Sequence, residues 1–244
     1  DVYKRQNKDK LLPLKKDIRT LAVIGPNANN VYNMLGDYTA PQADGTVVTV
    51  LDGIRQKVSK ETRVLYAKGC AVRDSSRTGF KDAIETARNA DAVVMVMGGS
   101  SARDFSSEYE ETGAAKVTIN QISDMESGEG YDRATLHLMG RQLELLEEIS
   151  RLGKPVVLVL IKGRPLLMEG AIQEAEAIVD AWYPGMQGGN AVADVLFGDY
   201  NPAGRLTLSV PRSVGQLPVY YNTRRKGNCL LYTSPSPRDP KTSR

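Results

Sequence analysis

The run Met125-Glu126-Ser127-Gly128-Glu129-Gly130-Tyr131-Asp132-Arg133 sets one carboxylate, Glu129, between two glycines. Flanking glycines open backbone shapes closed to other residues and let a ligand approach closely. A carboxyl group held on such a loop can protonate a leaving group and later take a proton from water. Glu126 and Asp132 lie close enough in sequence to tune it. The adjacent Asp132-Arg133 reads as a structural ion pair fixing the loop.

Other chemistries are weaker. Cys70 has Lys68 nearby, a cation able to lower a thiol pKa. His137 is the one histidine and the only partner for Cys–His or Ser–His–Asp machinery. A bystander thiol is the favoured reading. One His excludes sites needing several His ligands, and two Cys cannot build a disulfide framework. Asp104, Glu108, Glu110, Glu111, Asp124, Glu126, Glu129 and Asp132 crowd one segment, but without the Asp-x-Asp-x-Asp-Gly order of a calcium loop. We read a solvated acidic loop, with no metal and no cofactor. Ile24-Gly25-Pro26-Asn27 and Gly98-Gly99-Ser100-Ser101 each follow a strand. Neither forms Gly-x-Gly-x-x-Gly or leads into Lys-Ser/Thr, so tight turns explain them better than phosphate binding.

The elements that must position these residues are legible in the apolar pattern. Strands are expected at Leu21–Gly25, Arg63–Ala67, Ala92–Met97, Pro155–Ile161, Ala177–Trp182 and Leu206–Val210. Helices are expected over Thr46–Ser59, Phe80–Asn89, Leu138–Leu152 and Gly189–Phe197. Continuous Val/Ile/Leu strands alternating with helices imply an α/β fold. The expected architecture is a three-layer α/β/α sandwich on a mostly parallel sheet of about six strands. Ligands of such sheets sit beyond the carboxyl ends of the strands. The connection from Met97 to Leu138 spans about 40 residues, and loops of that length are usually functional or disordered. No apolar run approaches the roughly 20 residues of a membrane-spanning helix.

The two ends read as foreign. Asp1-Val-Tyr-Lys-Arg-Gln6 and Cys229-Leu-Leu-Tyr-Thr-Ser234 can be encoded by one DNA segment read on opposite strands. That segment resembles a transposon-type sequencing adapter, and Pro235–Asp239 fits its continuation. Residues 1–6 and 229–244 are therefore expected to be adapter-derived, and 7–228 to be an internal fragment of a longer chain. The full sequence carries 32 basic and 29 acidic residues; without the two ends 27 of each remain. With a net charge of zero the apparent basic character is no argument for nucleic acid or anionic membrane, and neither is expected as a partner.

Several runs in 7–228 carry a resemblance. They are Ser127–Arg133, Gly153-Lys-Pro-Val-Val157, Ala181-Trp-Tyr-Pro-Gly185 and Gly188-Gly-Asn-Ala191. Ala22-Val-Ile-Gly-Pro-Asn27 and Leu35-Gly-Asp-Tyr-Thr39 also fit. The most specific run is Ala193-Asp-Val-Leu-Phe-Gly-Asp-Tyr-Asn-Pro-Ala-Gly-Arg-Leu206, followed by Ser209-Val-Pro-Arg212 and Gly215-Gln-Leu-Pro218. Together they resemble the second domain of glycoside hydrolase family 3, nearest to bacterial β-glucosidase-like members. Met186-Gln187 departs from the expected Gln-Glu-like pair.

The resemblance implies a retaining β-glycosidase acting on β-linked oligosaccharides or glycosides. A preceding (β/α)8 barrel of the same parent chain would supply the nucleophilic aspartate. This domain would supply the general acid/base, Glu129, with Glu126 as fallback. Tyr38, in the Leu35–Pro41 stretch, would stack on a sugar face. The fragment alone would be inactive and poorly soluble. A fibronectin-like third domain, where present, would follow Asn228, and placement would be periplasmic or secreted. The residue reading leaves two other classes open: a free-standing α/β carbohydrate-binding module, and a flavodoxin-like regulatory or nucleotide-binding domain.

Overall fold

The computed structural model describes residues 7–102, 111–112, 124–204, 206 and 208–220. Both presumed adapter segments, and the loop carboxylates Asp104, Glu108 and Glu110, lie outside the described residues. Five strands form one sheet: β1 (Thr20–Ile24), β2 (Arg63–Ala67), β3 (Ala92–Gly98), β4 (Val156–Ile161) and β5 (Ala177–Asp180). All neighbouring pairs are parallel, in the order β2-β1-β3-β4-β5. Register runs through Leu21↔Ala92, Val93↔Val156 and Val157↔Ala177.

Every residue of β3 and β4 is buried, which explains their unbroken Val/Met/Leu/Ile composition. Alternate side chains feed two cores. On one face Ala22, Ile24, Met95 and Leu158 pack with α2 (Phe80–Arg88), α3 (Gln142–Ser150) and the short α4 (Glu169–Glu174). On the other face Leu21, Val23, Val94, Val96 and Val157 pack with α1 (Val50–Lys57) and α5 (Gly188–Leu196). The three-layer sandwich is therefore as expected.

Among the described residues the sheet has five strands, not six. Leu206 and Leu208–Val210 are not strand. Val210 instead packs, partly buried, against the core on the α2/α3 side of the sheet without joining a strand, while Leu206 is exposed. Two helices start later than their apolar spacing suggests. The Thr49 hydroxyl caps α1, accepting from Asp52 N at 3.2 Å. Gly140, at φ +62°, interrupts the chain before α3. Helix α4 was not expected; at six residues it is too short to show a helical period.

Chain direction across the sheet reverses between β1 and β3. In doubly wound sheets that switch point opens the ligand crevice at the carboxyl ends of the strands.

Candidate active site

The crevice here is filled by buried amides. Asn27, fully buried just past β1, donates from Nδ2 to Gly99 O at 3.1 Å and Ile161 O at 3.3 Å. Its Oδ1 accepts from Asn33 Nδ2 at 2.7 Å, and Ser100 Oγ donates to Asn33 Oδ1 at 2.6 Å. Gln142, at the start of α3, brackets the end of β3, accepting from Gly98 N at 2.9 Å and donating to Gly98 O at 2.8 Å. Buried polar groups with all partners present rigidify their surroundings. The turns after β1 and β3, read as simple turns rather than phosphate cradles, are thus the floor of a rigid platform.

The acidic loop is built on that floor. Asp124 accepts from Val72 N at 3.0 Å and Arg73 N at 3.2 Å, and Arg73 Nη1 donates to Met125 O at 2.9 Å. Glu126 N donates to Ser100 O at 2.8 Å, and Ser127 Oγ shares a 3.0 Å hydrogen bond with Tyr183 OH. Burial, the largest cause, pushes the Tyr183 phenol up, so it stays a neutral hydroxyl here.

Glu126 and Glu129 have opposite environments. The Glu126 side chain has no exposed surface and pairs through Oε2 with Arg133 Nη1. Arg164 Nε lies 3.9 Å from the same oxygen. A Cβ on Gly99 would stand 1.9 Å from Glu126 Oε1, so any larger residue there would force the buried carboxylate to shift. The expected Asp132–Arg133 pair is corrected by this geometry. Arg133 turns inward to Glu126, while Asp132 is exposed.

Glu129 is exposed at the loop tip. Gly128 before it has φ +108°, and a Cβ at Gly128 would lie 2.8 Å from Asp37 Oδ2. That carboxylate accepts from Glu129 N at 3.2 Å, while its Oδ1 accepts from Tyr38 N at 2.8 Å. Tyr38, at φ +59° and 74% exposed, donates its hydroxyl to Glu129 Oε2. One carboxylate, Asp37, therefore ties the Leu35–Pro41 stretch to the acidic loop and sets a phenol against Glu129.

Tyr38 and Glu129 are brought together, although the sequence offered them separate tasks. Asp37 and Arg164 were missed. Asp37 stands beside Gly36 in a Gly-Asp turn, a local signal for a side chain that binds backbone. Arg164, in Gly163-Arg164-Pro165 past β4, carried only a positional signal. The favoured reading of Cys70 as a bystander thiol holds. Burial, with Asp124 adding to it, pushes the thiol up to about 12, and Lys68 does not offset this. The thiol is buried and inert, and exposed His137 serves through its carbonyl, which accepts from Arg133 Nη2. Among the described residues no group of three or more His, Cys, Asp or Glu is placed to hold a metal ion.

An exposed carboxyl at a rigid loop tip, beyond the carboxyl ends of a parallel sheet, is suited to proton transfer with a bound molecule. The sequence profile of the glycosyl hydrolase family 3 C-terminal domain matches residues 6–237. The chain belongs to this family.

Relatives of the family 3 domain agree in extent. It is 43% identical over 226 residues to a β-xylosidase of Formosa agariphila, covering 90% of this chain and 28% of that protein. It is 36% identical over 242 residues to the periplasmic β-glucosidase of Salmonella typhimurium, covering 91% and 28%. The crystal structure of a β-glucosidase from Listeria innocua in complex with isofagomine superposes with a TM-score of 0.76 at 30% identity, covering 96% of this chain and 28% of that one. The chain thus spans 28% of the length of each of these relatives.

Proposed function

We propose that this domain is the acid/base half of a retaining β-glycosidase that cleaves β-linked sugars from oligosaccharides or glycosides. The observation that carries the reading is the contrast between the two candidate carboxylates. Glu126 is sealed in an ion pair and has no path to a substrate. Glu129 is held at the exposed tip by Asp37 and Tyr38. The names of the relatives, β-xylosidase and β-glucosidase, support the substrate class.

In this reading Glu129, protonated, gives its proton to the glycosidic oxygen as the bond to the anomeric carbon breaks. An aspartate from a (β/α)8 barrel of the parent chain attacks that carbon. Glu129, now ionised, then takes a proton from the water that hydrolyses the glycosyl intermediate. The two carboxyl groups must stand about 5–5.5 Å apart. The Tyr38 hydroxyl holds the Glu129 carboxylate between the two steps.

The rim around Glu129 is polar, with unsatisfied groups buried within the domain. Five buried side-chain atoms among the described residues have no hydrogen-bond partner: Ser101 Oγ, Glu126 Oε1, Lys162 Nζ, Arg164 Nε and Asp180 Oδ1. Lys162 Nζ does stand 2.8 Å from Asp180 Oδ2, but as an ion pair without hydrogen-bond geometry. All five flank the carboxyl ends of β3, β4 and β5, the side that carries Glu129. The isolated domain lacks the nucleophile and is expected to be inactive. No described helix is long and apolar enough to cross a membrane, and the periplasmic relative supports periplasmic or secreted placement. The nucleotide-binding reading is disfavoured by the Asn27 side chain, which occupies the switch-point crevice.

The test is Glu129→Gln in the full-length parent. The kcat/KM for glycosides with poor leaving groups should fall about 10²–10⁴-fold. For activated aryl glycosides, which leave without a proton, kcat/KM should fall far less, while kcat falls because the second step loses its base. Equal losses of kcat/KM on both would remove Glu129 from the role.

A further inference from the structure

Arg133 spends its guanidinium on one loop. Nη1 binds Glu126 Oε2, Nε donates to Thr135 O at 2.6 Å, and Nη2 donates to His137 O. Its side chain is 5% exposed. The three acceptors stand before and after Glu129 in the chain, so a single planar cation closes the segment into a ring with Glu129 at the tip. Arg164 adds a strut from outside the loop. Its Nη2 donates to Tyr131 O at 3.2 Å, and its Nε faces Glu126 Oε2 at 3.9 Å. The carboxylate at the centre lies against Gly99, at the end of β3. The path from sheet to tip therefore runs Gly99, Glu126, Arg133, then the backbone on either side of Glu129.

We propose that Arg133 is a positioning residue for the acid/base, acting through buried Glu126 and braced by Arg164, so that the ion pair sets where the Glu129 carboxyl stands. This rests on Glu129 being the acid/base. Glu126 is then not a spare catalyst but the anchor of the clamp. The chemistry favours arginine, since a planar fork can hold a carboxylate and two carbonyls in fixed directions while lysine offers a point charge. Proton transfer is sensitive to such placement, and a misplacement of about 1 Å can cost about 10²-fold in rate.

The experiment uses the full-length parent with Arg133→Lys, Arg164→Lys and Glu129→Gln. Each is assayed on a dinitrophenyl glycoside, whose departure needs no proton, and on an alkyl glycoside of the same sugar, whose departure does. The dinitrophenolate burst counts competent sites, so unfolded protein does not enter the rates. Arg133→Lys should lower kcat/KM per competent site about 10²-fold on the alkyl glycoside, whose first step needs the proton. It should leave kcat/KM for the dinitrophenyl glycoside within about threefold of wild type, since kcat/KM reports the first step and that departure needs no proton. Arg164→Lys, a strut rather than the hub, should show the same split more weakly. Equal losses on both glycosides, or none, in Arg133→Lys would overturn the positioning role, provided Glu129→Gln shows the split. If Glu129→Gln shows no split, the acid/base assignment itself falls, and the clamp's purpose with it.

Discussion

Tyr38 and Glu129 are 91 residues apart in the chain and meet through a hydrogen bond from phenol to carboxylate. Asp37, the neighbour of Tyr38, holds the backbone N–H of Glu129. Two loops that share no secondary structure are thus joined at the atoms expected to do the chemistry.

The two tasks open to Tyr38 separate on substitution. Tyr38→Phe keeps the ring and removes the donor. In the parent it should lower kcat on poor leaving groups about tenfold, the scale of one hydrogen bond to a charged group. Tyr38→Ala should also raise KM if the ring stacks on sugar. A Phe variant with wild-type kcat would confine Tyr38 to stacking.

Gly99 admits the buried Glu126 carboxylate, and a methyl group there would overlap it. Gly99→Ala should destabilise by about 1–3 kcal/mol, the usual cost of overpacking. Urea unfolding followed by circular dichroism measures this, and an unchanged midpoint would show that the loop yields without cost.

Asn27 supplies two donors and one acceptor to buried groups. Asn27→Asp sets a carboxylate against two strand-end carbonyls and should cost at least about 2 kcal/mol. The same unfolding assay decides, and near-neutral behaviour would mean that solvent reaches the platform.

Cys70 should resist alkylation in the folded state at neutral pH and react once unfolded, as read by mass of the peptide that contains it. Its folded pKa of about 12 exceeds the ordinary thiol value of 9.0. The folded state therefore retains the proton longer. The stability linked to this group is complete below about pH 9 and is lost as pH rises toward about 12. Native labelling at neutral pH would place the thiol outside the core.

Much of the fold was legible because both faces of the sheet are covered. Strands β3 and β4 are apolar at every position and could be little else. The false sixth strand arose from the same signal, since Val210 is apolar for packing against the core without entering the sheet. Glu129 was legible through its glycines, which the loop requires at Gly128 for the approach of Asp37. The choice of partner by Arg133 was not. Asp132 is nearer in sequence, yet Glu126 is the carboxylate that the path of the chain buries beside it. Asp37 was hidden for the same reason, being 92 residues from the N–H it binds.

The most direct test of the central claim is Glu129→Ala in the full-length parent, assayed with and without sodium azide. The account predicts slow hydrolysis of an activated aryl glycoside, acceleration by azide, and a glycosyl azide product of retained configuration. An anion fitting the space of the lost carboxylate attacks the intermediate without needing a base. Wild-type kinetics with no azide adduct would contradict it and move the acid/base to another residue.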